Sequence, residues 1–170
     1  MASIRVEEPT DGLAVRAVNE RAFEEPTEAD LVDELRRTCR ESLSLVAVDD
    51  IVVGHILFTP AVVSCPDRRV VGMGLAPIAV APEYQRRGIG SALVRRGLEM
   101  LNERGCPFVI VLGHPGFYPR FGFRRASALG LSCQLDGIPD EALMVLILDA
   151  QAMEGVSGVA KYRDEFGAAV

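Results

Sequence analysis

Residues Ile78–Leu93, IAVAPEYQRRGIGSAL, decide how this chain is read. An apolar run ends at Pro82, and a short polar loop follows, Glu83-Tyr84-Gln85-Arg86-Arg87. Gly88-Ile89-Gly90-Ser91-Ala92-Leu93 then opens a helical pattern. A strand, an Arg- and Gly-rich loop and a helix N-terminus together make a place to hold an anion. The first N–H groups of a helix lack internal partners and sit at the positive end of its dipole. Glycines remove the side chains that would keep a phosphate off those N–H groups. The stretch therefore predicts a phosphate-bearing ligand.

Three phosphate cradles compete for this pattern. A P-loop needs Gly-Lys-Ser/Thr, because the lysine pairs the terminal phosphates and the hydroxyl holds magnesium. Here Ile89 follows Gly88, which excludes it. A dinucleotide fingerprint needs a third glycine, but Leu93 stands there after Gly88-Ile89-Gly90. Gly72-Met73-Gly74 fails in the same way, with Pro77 in the third place. The third pattern fits: Gln85–Gly90, QRRGIG, resembles the Q/R-x-x-G-x-G/A signature of the GNAT superfamily of N-acetyltransferases. The flanking strand, the proline and the leucine-rich amphipathic helix match as well.

The resemblance implies that Gln85, Arg86, Arg87, Gly88, Ile89, Gly90 and Ser91 cradle the pyrophosphate of acetyl-coenzyme A. It implies that the backbone of Ile78, Ala79 and Val80 serves pantetheine, with one N–H available to a developing oxyanion. A second segment, Gly113–Phe123, GHPGFYPRFGF, resembles the family region in which a tyrosine precedes a Gly-Phe pair and protonates the departing thiolate. The matching residue is Tyr118. A phenol and a thiolate are close enough in basicity for that transfer. The purely structural alternative is a tyrosine packed for its ring alone. The general base stays open among His114, His55, Glu83, the Glu24-Glu25 pair and a water, with His114 the first choice.

Patterning around these motifs predicts β-α-α-β-β-β-α-β-α-β-β. Asp11 is expected to cap a first helix through Val15, Val18 and Ala22, and Thr27 a second. Strands are expected at Leu43–Val48, Ile51–Phe58 and Val70–Ala81, the first two split by a turn at Asp49-Asp50. Gly88–Arg104 is the strongest helix, ended by Gly105 and Pro107. Phe108–Leu112 reads as a strand buried on both faces, Phe121-Gly122-Phe123 as a strand start and Ala142–Leu148 as the last strand. Pro77 cannot donate to a sheet ladder and predicts a bulge or a local parting of strands. The expected fold class is α/β, in a mixed α+β arrangement. The resemblance makes it a GNAT-like acyl-CoA N-acyltransferase fold, a central, mostly antiparallel sheet with a V-shaped parting, flanked by helices.

With 170 residues and 49% hydrophobic content, one domain over residues 1–150 is expected, the tail 151–170 belonging to it and partly loose. The four cysteines lack metal or disulfide spacing, so no metal is expected. The net charge of −6 argues against general nucleic-acid binding. No apolar run suits a membrane span and no signal peptide is read, so the cytoplasm is the expected location. The resemblance, to a bacterial subgroup, implies acetyl-CoA as cosubstrate and a primary amine, small molecule or peptide, as acceptor. It leaves a homodimer open. Two other readings fit the same residues: a GNAT-fold module binding CoA without turnover, and an acyltransferase using a longer acyl-CoA.

Overall fold

A computed structural model describes residues 1–168. The last two residues of the expected tail, 169–170, lie outside the described residues. The described chain divides into two compact units, and strands β3 and β4 and helix α3 contribute residues to both.

The first unit holds Met1–Phe58, Ala76–Glu99 and the residues from Asp164. It begins with β1 (Ser3–Val6), α1 (Gly12–Phe23), α2 (Thr27–Thr38) and β2 (Leu43–Asp49). The first part of β3 (Ile51–Ser64), the end of β4 (Arg69–Val80) and most of α3 (Ile89–Glu103) complete it. β1 pairs antiparallel with β2 from Ser3↔Val48 to Val6↔Leu45, and β2 with β3 from Leu43↔Phe58 to Asp49↔Ile51. Asp50, at φ 63°, makes the turn between β2 and β3, where the sequence places it. Val15 and Val18 of α1 and Ala29, Val32 and Leu35 of α2 are buried, at the spacing of one helix face. α3 approaches β3 closely because glycine stands at Gly97: a Cβ there would lie 2.3 Å from Cε2 of the fully buried Phe58.

The second unit holds Thr59–Leu75 and Met100–Arg163. Here β3 and β4 are joined by a turn in which Cys65 N–H donates to Arg68 O at 2.8 Å. β5 (Phe108–Leu112) lies parallel to β4 with Met73↔Val109, Gly74↔Ile110 and Leu75↔Val111, and the register stops there. β8 (Leu143–Ile147) pairs antiparallel with β5 and with β6 (Arg124–Arg125). β9 (Gly158–Lys161) pairs antiparallel with β3 and parallel with β7 (Leu131–Cys133). The strand order is β1-β2-β3-β4-β5-β8-β6, with β9 and β7 off that path. The arrangement is the mixed sheet with helices that the patterning predicts, and it is mostly antiparallel, as the family resemblance implies. Among the described residues no helix is long and apolar enough to cross a membrane.

Several local expectations are corrected. Ala142–Leu148 is not followed by a loose tail: β9 adds a strand, and Met153, Val156, Ala160, Tyr162 and Phe166 are buried. Strands as short as β7 and β9 carry too few alternations to show a period of two, and their stability comes from distant partners. Phe121-Gly122-Phe123 does not begin a strand. Tyr118–Phe121 is a 3-10 turn ended by Gly122 at φ 99°, and pairing begins at Arg124. Asp11 stands at the N-cap of α1, but its carboxylate turns back to Glu8 N–H at 2.7 Å and to Arg5. Pro26, not Thr27, occupies the cap position of α2.

Candidate functional site

The loop after β4 is built from consecutive residues of the first unit. Val80 and Ile78 are half-buried and Ala79 is buried. Ala81 N–H donates to Val53 O at 2.8 Å, which fixes where the strand ends. A 3-10 turn over Pro82–Tyr84 follows, and the Gln85 side-chain amide donates back to Val80 O at 2.9 Å. Gln85 thus ties the loop to its own strand. Arg86 at φ 63° and Gly88 at φ 84° are both left-handed. The conformation costs an arginine on the order of 1 kcal/mol, so the turn here is dictated by what surrounds it.

α3 starts at Ile89, and its first hydrogen bond runs from Ala92 N–H to Gly88 O at 3.0 Å. The N–H groups of Ile89, Gly90 and Ser91 therefore have no helical acceptor. No Cβ crowds Gly88. Arg86 and Arg87 are exposed, Arg87 with its guanidinium 5.3 Å from the centre of the Tyr84 ring. Open N–H groups, the positive end of a fifteen-residue helix and two arginines give a surface suited to a multiply charged anion.

Tyr118 lies in the second unit, at the start of the turn after β5. Gly113 N–H is held by Ala142 O at 3.0 Å, and Phe117 N–H donates to His114 O at 3.1 Å. The Tyr118 ring covers Gly113, where a Cβ would come within 2.3 Å of Cε2. Phe117 and Phe123 meet it edge-on, with ring centres 5.0 and 5.7 Å away. Only 6% of Tyr118 is exposed, and this burial pushes its phenol up to about 12. At neutral pH the hydroxyl is protonated, so it can donate a proton and cannot accept one as a base. His114 is exposed, three residues short of Phe117.

The other base candidates are placed as follows. His55 is fully buried, with Asn19 Nδ2 3.1 Å from Nδ1 and Ser44 Oγ 2.9 Å from Nε2. Burial, with a smaller push from Arg36, lowers it to about 3. Glu7 Oε2 lies 3.8 Å from Nε2 and would by itself favour the cation. Ser44 and Arg36 already engage that carboxylate, so burial prevails. His55 is a satisfied core histidine. Glu83 is paired with Arg21, which holds its carboxyl below the ordinary range. Glu24 and Glu25 are exposed between α1 and α2.

The sequence reading passes over Tyr162. Its hydroxyl meets Leu112 N–H, Leu75 O and Ile110 O where the β4–β5 register stops. The only local signal is the brief β-forming run Val159-Ala160-Lys161-Tyr162, flanked by glycine-rich chain.

Comparison with known proteins agrees with this architecture. A family model described as an acetyltransferase (GNAT) domain matches residues 3–126. The uncharacterized N-acetyltransferase YhbS of Escherichia coli (strain K12) is 41% identical over 165 residues, 96% of this chain and 97% of that protein. The crystal structure of Escherichia coli YhbS in complex with CoA superposes with a TM-score of 0.89 at 38% identity, over 98% of this chain and 92% of that one. A GNAT family acetyltransferase from Brucella melitensis in complex with acetyl-CoA gives a TM-score of 0.78 at 31% identity, over 98% of both chains. These matches show the fold that QRRGIG and its flanks predict, and the chain belongs to the GNAT family of N-acetyltransferases.

Proposed function

We propose that the protein moves the acetyl group of acetyl-CoA onto a primary amine by direct transfer in a ternary complex. The observation that carries the donor half is the start of α3, where Ile89, Gly90 and Ser91 present N–H groups without helical acceptors behind two left-handed residues. That cradle fits a pyrophosphate, and the related YhbS and Brucella melitensis structures hold CoA and acetyl-CoA.

Acetyl-CoA supplies an acyl group activated as a thioester. Gln85–Ser91 hold its pyrophosphate, with Arg86 and Arg87 adding positive charge. The backbone of Ile78, Ala79 and Val80 receives pantetheine and offers an N–H to the negative charge that develops on the acyl oxygen. Tyr118 Oη gives its proton to the leaving sulfur. Burial keeps that proton on the phenol at working pH, so the acid form is the one present when the thiolate departs. The proton leaving the amine goes to His114 or, through water, to solvent.

Acetyl-CoA should raise the melting temperature, and CoA release against a panel of amines should reveal the acceptor. No shift at saturating acetyl-CoA removes the donor assignment. Binding without any CoA release across the panel removes the transfer step. Tyr118→Phe should cut turnover by about a hundredfold while binding of acetyl-CoA stays within about twofold. Undiminished turnover removes Tyr118 from the chemistry.

A further inference from the structure

Tyr162 directly follows β9, and its ring is buried in the second unit. β9 brings it there by pairing with the end of β3, Val62↔Lys161, and with β7. The ring lies against Gly74 of β4, where a Cβ would come within 2.5 Å of Cε1. Glycine at that position is what gives the ring its place.

The hydroxyl ends between the two strands. Leu112 N–H donates to Tyr162 Oη at 3.2 Å, and Tyr162 O–H donates to Leu75 O at 3.1 Å, with Ile110 O at 3.4 Å. In a parallel ladder with the register Leu75↔Val111, Leu112 N–H is the group that would donate directly to Leu75 O. The side-chain hydroxyl joins both strands at that rung, accepting from one and donating to the other. Two residues beyond Leu75, Pro77 has no N–H with which a ladder could resume. Burial raises the proton affinity of the Tyr162 phenol against the opposing Leu112 N–H, so the hydroxyl keeps its proton at neutral pH.

We propose that Tyr162 is a positioning residue for acetyl transfer. Its hydroxyl ties β4 to β5 at their last paired residues, and so holds the point from which β4 runs on to Ile78, Ala79 and Val80. The inference rests on the reading of those three residues as pantetheine partners. Without the hydroxyl, Leu112 N–H and Leu75 O lose a partner they share, and the end of the ladder from which β4 runs on is held less firmly.

The test is Tyr162→Phe, with CoA and acetyl-CoA affinity measured by calorimetry at a temperature where both proteins are folded. The expected result is roughly three- to tenfold weaker binding, the worth of one hydrogen bond. A purely structural tyrosine would lower the melting temperature and leave the affinity of the folded protein unchanged, and that result overturns the proposal. Gly74→Ala, which displaces the ring and keeps the hydroxyl, should weaken binding in the same way, and wild-type affinity there also overturns it. CoA binding by the wild type should shift the Leu112 amide resonance, a readout that needs no variant to fold, and an unmoved resonance counts against the proposal. A wild-type protein that binds no CoA overturns the donor assignment and this inference together, whereas binding left intact in Tyr162→Phe overturns the inference alone.

Discussion

Acidification from about pH 7 to about pH 5.5 should destabilise the folded protein through His55 by about 1 kcal/mol. In the fold the ring is fully buried, engaged at both nitrogens and held neutral, at about 3. In the unfolded chain it titrates at its ordinary value near 6.5. A group whose folded value is depressed binds protons more readily when unfolded, so stability falls as pH drops below the unfolded value. Proton uptake by the unfolded state is worth about 1 kcal/mol at pH 5.5 and little at pH 7. The loss continues at about 1.4 kcal/mol per pH unit until the folded ring itself titrates. Asp11 and Glu83 also have depressed values, but they titrate at the acid end, so their stabilisation is still present across this window. The assay is urea unfolding at both pH values for the wild type and for His55→Gln. Each protein is compared with itself, so the unequal packing of the variant does not matter, and exposed His114 is common to both. The wild type should lose about 1 kcal/mol more than the variant. Equal losses would refute the claim that the fold holds His55 neutral.

Three further outcomes follow from the geometry. Gly97→Ala adds a methyl 2.3 Å from Phe58, and although alanine favours a helix, the overpacked contact should lower stability by about 1–3 kcal/mol in denaturant unfolding; a more stable variant would show that α3 does not sit this close to β3. Gly88→Ala meets no neighbour, so its effect is the left-handed backbone alone, about 1 kcal/mol of stability, accompanied by weaker CoA binding; unaltered CoA binding would separate the turn from the ligand. Burial of Tyr118 predicts that turnover does not fall between about pH 8 and about pH 10 through loss of its proton. A descending limb in that range that disappears in Tyr118→Phe would contradict the burial argument.

What could be read in the sequence follows a physical division. Gly97 and its neighbours on α3, the turn at Asp50 and the buried run Phe108–Leu112 were legible because periodicity and turn chemistry act between adjacent residues. β7 and β9 were not, because strands of three or four residues exist only through partners far along the chain. Asp11 shows the limit on a smaller scale. Its position at a helix start was readable, but the competing Arg5 guanidinium, brought alongside by the fold, decided where the carboxylate points.

The loop–helix signature lies in consecutive residues, Gln85–Ser91, so the sequence alone pointed to the family, while the left-handed turn at Arg86 is dictated by what surrounds it. The proton affinities and the strand spacing are not local. Tyr118 holds its proton because Phe117, Phe123 and the chain around Gly113 exclude water from it. His55 is neutral because α1 and β2 enclose it. Tyr162 reaches Leu75 O across 87 residues of sequence. Burial and long-range pairing exist only once the chain has folded, and they are what the tertiary structure decided.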